Sequence, residues 1–341
     1  MDSKKSISRQ SWGDLCRVVA IFGVIIIHAC GSTFYQFGKV SLPDWLAANL
    51  LDSLVRCAVP LFVMLSGALL LKKDSNQITV RQIINRVSKV AAPLFTWNVG
   101  YLLYVSHFTG EPVKWTSMFI QPPMYHLWFV YMIIGIYLLL PVFQAIFTTV
   151  IERRNLQIYL LGLWLIVTCI PIYQPIPLLP LLQQSSLFGY GGYFLMGGVI
   201  ATSRTSKLPS TVWWIIYAAS VAVTFYLTFY FSQQAQSVVE TAFLYFSINV
   251  CISSVAAFIL FSRAKISEKF GLILQWVSDR SFLIFFMHVV ILERVSNVIL
   301  SMLPGLPAYL FILLSATVTF IICLTIATVL RWLPASRTVL G

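Results

Sequence analysis

Arg17 and His28 lie in the first long apolar stretch of the chain, with ten residues between them. In a helix, eleven steps of 100° make about three turns plus 20°, so both side chains leave one face, roughly 16 Å apart along the axis. An imidazole exchanges a proton near neutral pH and suits general-base work. A guanidinium grips phosphate or carboxylate through forked hydrogen bonds. A second cationic group, Arg86 and Lys89, closes the segment Arg81-Gln-Ile-Ile-Asn-Arg86-Val-Ser-Lys89, where i, i+3 spacing sets both at the start of a helix. Together with Arg17 it reads as a clamp for a polyphosphate. Plainer readings stand beside these. Arg17 serves equally as a snorkelling anchor, His28 as an interhelical hydrogen-bonding group, and the basic segment as a topological flank or a surface for anionic lipid.

These side chains must be held by an apolar framework. Of the 341 residues, 59% are hydrophobic and only 10% charged, and the mean hydropathy is +0.85. Soluble domains carry about 25% charged residues. A soluble globular domain, a disordered chain, a nucleic-acid-binding domain and a secreted disulfide scaffold are excluded. The expected fold is an all-α polytopic membrane protein. About 20 apolar residues span a bilayer, which gives ten stretches: 15–35, 46–71, 90–108, 126–147, 157–172, 186–202, 211–231, 241–261, 278–298 and 308–330. The fifth and sixth are short and flanked by Pro171, Pro175, Pro177 and Pro180. With no long polar segment left over, residues 1–341 read as a single transmembrane domain. The six cysteines lie in or beside apolar stretches without C-x-x-C spacing and read as small buried hydrophobes, not as metal or disulfide sites.

An even number of spans puts both termini on one side. That side collects Lys4, Lys5, Arg9, Lys72, Lys73, Arg81, Arg86, Lys89, Arg153, Arg154, Arg204, Lys207, Arg263, Lys265, Lys269, Arg331 and Arg337, against Lys39 and Lys114 on the other. Positively charged loops stay inside, so both termini are expected in the cytoplasm. This asymmetry accounts for much of the net charge of +12 without a nucleic-acid partner.

Charged groups at a span centre cost about 2.5–3.5 kcal/mol each to insert and call for a use. The first span has Asp14 beside Arg17. The second has Asp52 and Arg56, an i, i+4 pair able to neutralise itself, then Pro60 and Ser66-Gly67, where glycine permits close approach of a helix or ligand. The fourth opens Tyr125-His126-Leu127-Trp128; an interfacial aromatic belt explains the tyrosine and tryptophan but not His126. The ninth holds Arg280, His288, Glu293 and Arg294, the last two at the outer interface.

Three strings among these resemble motifs of the acyltransferase 3 family of integral membrane acyltransferases. Trp12-Gly-Asp14-Leu-Cys-Arg17 followed by His28 is similar to its Arg-x10-His signature. Arg56-Cys-Ala-Val-Pro60-Leu-Phe-Val-Met-Leu-Ser66-Gly67 is similar to its second-helix motif, and His126-Leu-Trp128-Phe-Val-Tyr131, ending at Pro141, to its fourth. The likeness covers the whole chain and is greatest to the branch that O-acetylates enterobacterial common antigen. Lys89 departs from the pattern, standing where a second arginine is expected, and binds phosphate as a point charge instead of a fork.

The resemblance implies a multi-pass protein of the bacterial inner membrane. It takes an acyl group, usually acetyl, from cytoplasmic acyl-CoA to a hydroxyl of an envelope glycan or lipid-linked sugar. Acyl-CoA is a donor substrate here; no tightly bound cofactor and no metal is implied. His28 would be the general base, with direct transfer and a covalent acyl-histidine step both compatible with the layout. Arg17, Arg86, Lys89, Ser66 and Gly67 would hold the donor. Asp14, Arg56, His126, Trp128, His288 and Glu293 would support the site or the acceptor. The rival reading is a secondary transporter or flippase whose embedded Arg, His and Glu form a substrate or proton path; no repeat between the halves supports it.

Overall fold

The computed structural model describes residues 11–73, 78–119, 121–173, 186–203, 207–333 and 336–341. Lys4, Lys5, Arg9 and Arg204 of the basic set, and Pro175, Pro177 and Pro180, lie outside them. Among the described residues all regular structure is helical: α1 (Ser11–Phe34), α2 (Leu42–Val55), α3 (Ala58–Leu70), α4 (Val80–Thr109), α5 (Trp128–Leu138), α6 (Leu140–Val150), α7 (Arg154–Tyr173), α8 (Ser186–Ser203), α9 (Ser210–Ala235), α10 (Ile248–Ser262), α11 (Glu268–Ser278), α12 (Ser281–Met302), α13 (Ala308–Leu330) and α14 (Ser336–Val339), with short 3-10 turns between some of them. Helices are what a bilayer demands, because each satisfies its own backbone hydrogen bonds.

Seven helical runs are long and apolar enough to cross a membrane, eight if the bent α5–α6 pair is one span. About ten were expected. The other two expected stretches are helices as well, but less apolar ones. α4 carries Arg81, Arg86, Lys89, Pro93 and Asn98. α8 contains Gly189, Gly191, Gly192, Gly197 and Gly198. The glycines of α8 serve packing: a Cβ at Gly197 would run into the carbonyl oxygen of Met64, and one at Gly67 into that of Phe194. α3 and α8 therefore meet backbone to backbone, the usual way helices associate in lipid.

α1 is the central helix, packed against α2, α3, α11, α12 and α13. Its Ile21, Ile25, Cys30 and Phe34 are fully or almost fully buried. Prolines break the helices around it. A proline clashes with the carbonyl four residues back and leaves it without its helical donor. Pro60 thus ends α2 at Arg56, and Pro141 separates α5 from α6 just after Tyr137, bending the pair by 64°. Pro93 sits inside α4, four residues after Lys89.

α11 was not expected, since its eleven residues are too few to span. Phe270, Leu272, Ile273 and Trp276 are exposed on it, and the Arg280 guanidinium lies 4.1 Å from the Trp276 ring centroid. This is the composition of a helix lying in the membrane interface, apolar face toward the acyl chains and cation toward the headgroups.

Candidate active site

A cavity of about 350 Å³ opens between α1, α3, α4, α5 and the α11–α12 turn. Arg17, Ser66, Lys89, Tyr137, Ser278 and Asp279 line one part of it, and Phe62, Phe129 and Phe285 another. Three residues expected to hold the donor, Arg17, Ser66 and Lys89, are therefore brought together from three helices. Arg17 is fixed by α11: its Nη1 donates to Ser278 Oγ at 2.9 Å and lies 3.8 Å from the carboxylate of buried Asp14. A one-turn carboxylate partner and a hydroxyl hold the guanidinium at the cavity. Ser66 donates to its own helix, at Phe62 O, over 3.0 Å. Lys89 reaches the cavity from an exposed position on α4.

Two expected donor residues stand apart. Arg86 is half-buried one turn before Lys89 and does not line the cavity. Gly67 does not line it either; the space beside its Cα is taken by Phe194, so glycine is required there for helix contact. A larger hollow of about 690 Å³ at Arg153, Arg154 and Tyr159 lies on the surface at the start of α7 and shares no residue with this cavity.

The aromatic part of the cavity packs toward the histidines, none of which lines it. Phe62 and Phe129 have ring centroids 5.9 Å apart, and Phe129 and Phe285 5.5 Å. The Phe285 ring then touches His126 at 5.5 Å and His288 at 5.6 Å. His288 contacts His126 at 5.1 Å and His28 at 5.2 Å, and His28 contacts Tyr125 at 5.2 Å. Tyr125 is 59% exposed. From cavity to surface the rings run Phe285, then His288 with His126, then His28, and Tyr125 touches both His28 and, at 5.9 Å, His126. His288 is completely buried and His126 nearly so, whereas His28 is partly exposed.

The hydrogen bonding of this group is unusual. His288 Nδ1 lies 2.6 Å from Phe285 O, and because a carbonyl only accepts, Nδ1 carries the proton. Nε2 of neutral His288 is then a bare acceptor, and it has no partner; neither has either nitrogen of His126. A buried polar atom left unpaired costs about 1–3 kcal/mol. Three together in one cluster mark a place where stability has not been optimised, as sites built for a substrate or for proton exchange are.

His126, read from the sequence as a residue of the outer interface, has a buried side chain. Tyr125–Leu127 form a 3-10 turn in which Tyr125 takes the exposed position and His126 turns inward against Tyr101, 5.6 Å away. Sequence separation hid the grouping: the three histidines come from α1, the turn before α5, and α12. Phe285, Ser278 and Tyr137 were missed too, being apolar or common residues whose role appears only once the helices are packed.

Arg56 and Asp52 form the expected pair, at 3.1 Å. Arg56 Nε also donates to Phe243 O at 2.8 Å, and the guanidinium lies over the rings of Phe243 and Tyr245. The charge is balanced and fixed. Trp128 packs against Tyr190 and Tyr245, and Glu293 is exposed on α12. Among the described residues, no group of three or more His, Cys, Asp or Glu is placed to hold a metal ion.

The arrangement is a cation-edged cavity whose phenyl rings pack against imidazoles able to accept and pass on a proton. Comparison with curated proteins and with solved structures returns no match. Residues 10–330 match the acyltransferase domain that defines the acyltransferase 3 family, and the chain belongs to that family.

Proposed function

We propose that this membrane acyltransferase moves an acetyl group from cytoplasmic acetyl-CoA to a hydroxyl of an envelope glycan or lipid-linked sugar. In this reading it works in the inner membrane of a bacterium, with both termini in the cytoplasm. The enterobacterial common-antigen branch is the first place to look for the acceptor. Arg17 and Lys89 hold the anionic nucleotide end of CoA. The thin pantetheine arm follows the cavity toward Phe285, and the thioester meets the histidines. His28, the partly exposed member, takes the proton of the acceptor hydroxyl.

One observation carries the reading: the ring contact of Phe285 with His126 and His288 joins a cavity edged by Arg17 and Lys89 to the histidine cluster. A phosphate-binding end and a proton-accepting end along one path suit a donor that is anionic at one end and reactive at the other. Membrane vesicles from the source cells, given acetyl-CoA labelled in the acetyl group, should transfer label into the glycan fraction, and vesicles from a deletion strain should not. Equal labelling in both would remove the assignment. Topology is checked separately: cysteine introduced at Lys114 should react with an impermeant reagent added outside intact cells. Reaction only from the cytoplasmic side would invert the orientation.

A further inference from the structure

Acyl transfer needs a proton in two places. The acceptor hydroxyl loses one as its oxygen attacks, and the departing sulfur gains one. The cluster places different histidines toward these two sides. His28 touches Tyr125, next to the exposed surface, while His288 touches Phe285, which lines the donor cavity. The two imidazoles are in contact, centroids 5.2 Å apart and planes tilted by 32°. No corresponding contact joins His126 to His28 among the described residues. His288 is also the ring whose Nδ1 proton is held, Nδ1–H bound to Phe285 O and Nε2 bare and unpartnered.

We infer that His288 is a second catalytic residue, the general acid that protonates the departing CoA sulfur; the inference rests on the transfer reading above. The acceptor oxygen forms its bond to the thioester carbon as its proton passes to His28. His28 hands that proton, directly or through one water, to Nε2 of His288. The tetrahedral intermediate collapses, the C–S bond breaks, and its electron pair leaves on sulfur. His288 Nε2–H then gives its proton to the thiolate. Both histidines end neutral, the acceptor proton ends on the CoA thiol, and no further reactant is consumed. The hydrogen bond to Phe285 O keeps Nδ1 out of the exchange, so only the nitrogen with no partner takes part.

A general acid is needed only when the leaving group is a poor one. Vesicles bearing wild type, His28→Gln, His288→Gln or His126→Gln are given labelled acetyl-CoA or a labelled acetyl aryl thioester, whose thiolate leaves unprotonated. His288→Asn is carried in parallel, so that poor folding of one variant does not halt the test, and CoA binding is measured on each. With acetyl-CoA, His288→Gln should lose about 10²–10⁴-fold, and with the aryl thioester it should recover the wild-type rate. His28→Gln should be equally impaired with both donors. Equal impairment of the His288 variants with both donors, near-wild-type turnover from acetyl-CoA, or recovery in His126→Gln in place of His288→Gln would each overturn the assignment. Wild type that labels no acceptor from either donor would overturn the transfer reading itself, a result distinct from these.

Discussion

The Arg17 end of the cavity and the histidine cluster hold polar side chains on opposite terms. Arg17 has a serine hydroxyl at 2.9 Å and a carboxylate at 3.8 Å, and it remains partly exposed. His126 and His288 are more deeply buried, yet three of their four ring nitrogens have no partner. The first region is arranged to hold a charge still; the second leaves nitrogens open to exchange a proton. Binding and chemistry should therefore separate by mutation, each region failing in its own assay.

The largest effect is expected at His28. His28→Ala should reduce transfer by about 10²–10⁴-fold while acyl-CoA affinity, measured by calorimetry on purified protein, stays at the wild-type value. A loss of affinity equal to the loss of turnover would merge the two regions into one.

Arg17→Ala should do the reverse. A charge-assisted contact contributes about 1.5–3 kcal/mol, or roughly one to two decades in affinity. The dissociation constant of acyl-CoA should rise by that factor, with turnover at saturating donor little changed. Unaltered affinity in a folded protein would reduce Arg17 to an anchor at the headgroups.

Lys89→Ala should act in the same direction but more weakly. Its ammonium is exposed and screened, and the effect, under about tenfold, should shrink as salt rises. Arg86→Ala, outside the cavity lining, should weaken binding less than Arg17→Ala at every salt concentration tested. An Arg86 effect exceeding that of Arg17 would move the nucleotide site toward the α4 flank.

The smallest effect is expected at the pair Lys73–Glu152, 2.7 Å apart and open to water. Lys73 holds the Glu152 carboxyl below its ordinary value, so whatever the pair adds to stability is present above that value and lost as pH falls through the lowered one. Solvent screening makes this small: Lys73→Ala should melt with wild type at pH 7 and at pH 4. A pH-dependent difference would show that exposed pairs matter here as enclosed ones do.

Much of this was legible in the chain itself. Hydropathy located the helices because lipid leaves few alternatives, and the 3.6-residue period put Arg17 and His28 on one face. What escaped depends on contacts between distant segments. No spacing rule links His28, His126 and His288, whose grouping arises from three packed elements. Gly67 read as room for a helix or a ligand, and only the partner helix reveals that the room is taken by Phe194. Pro60 and Pro141 were visible, but the break that Pro141 imposes at Tyr137 becomes meaningful only once that residue is seen lining the cavity. α11 was hidden by its length, and with it Ser278, the residue that orients Arg17.

The most direct measurement asks whether the acyl carbon of a cytoplasmic CoA reaches the histidines. Bromoacetyl-CoA places an alkylating carbon where the acetyl group would be, and mass spectrometry of the digested protein locates the adduct. Applied from the cytoplasmic face, it should modify His28 or His288, with excess CoA protecting and Arg17→Ala slowing the reaction. Adducts confined to the cytoplasmic surface, or histidine labelling indifferent to CoA and to Arg17, would contradict a single path from cavity to cluster.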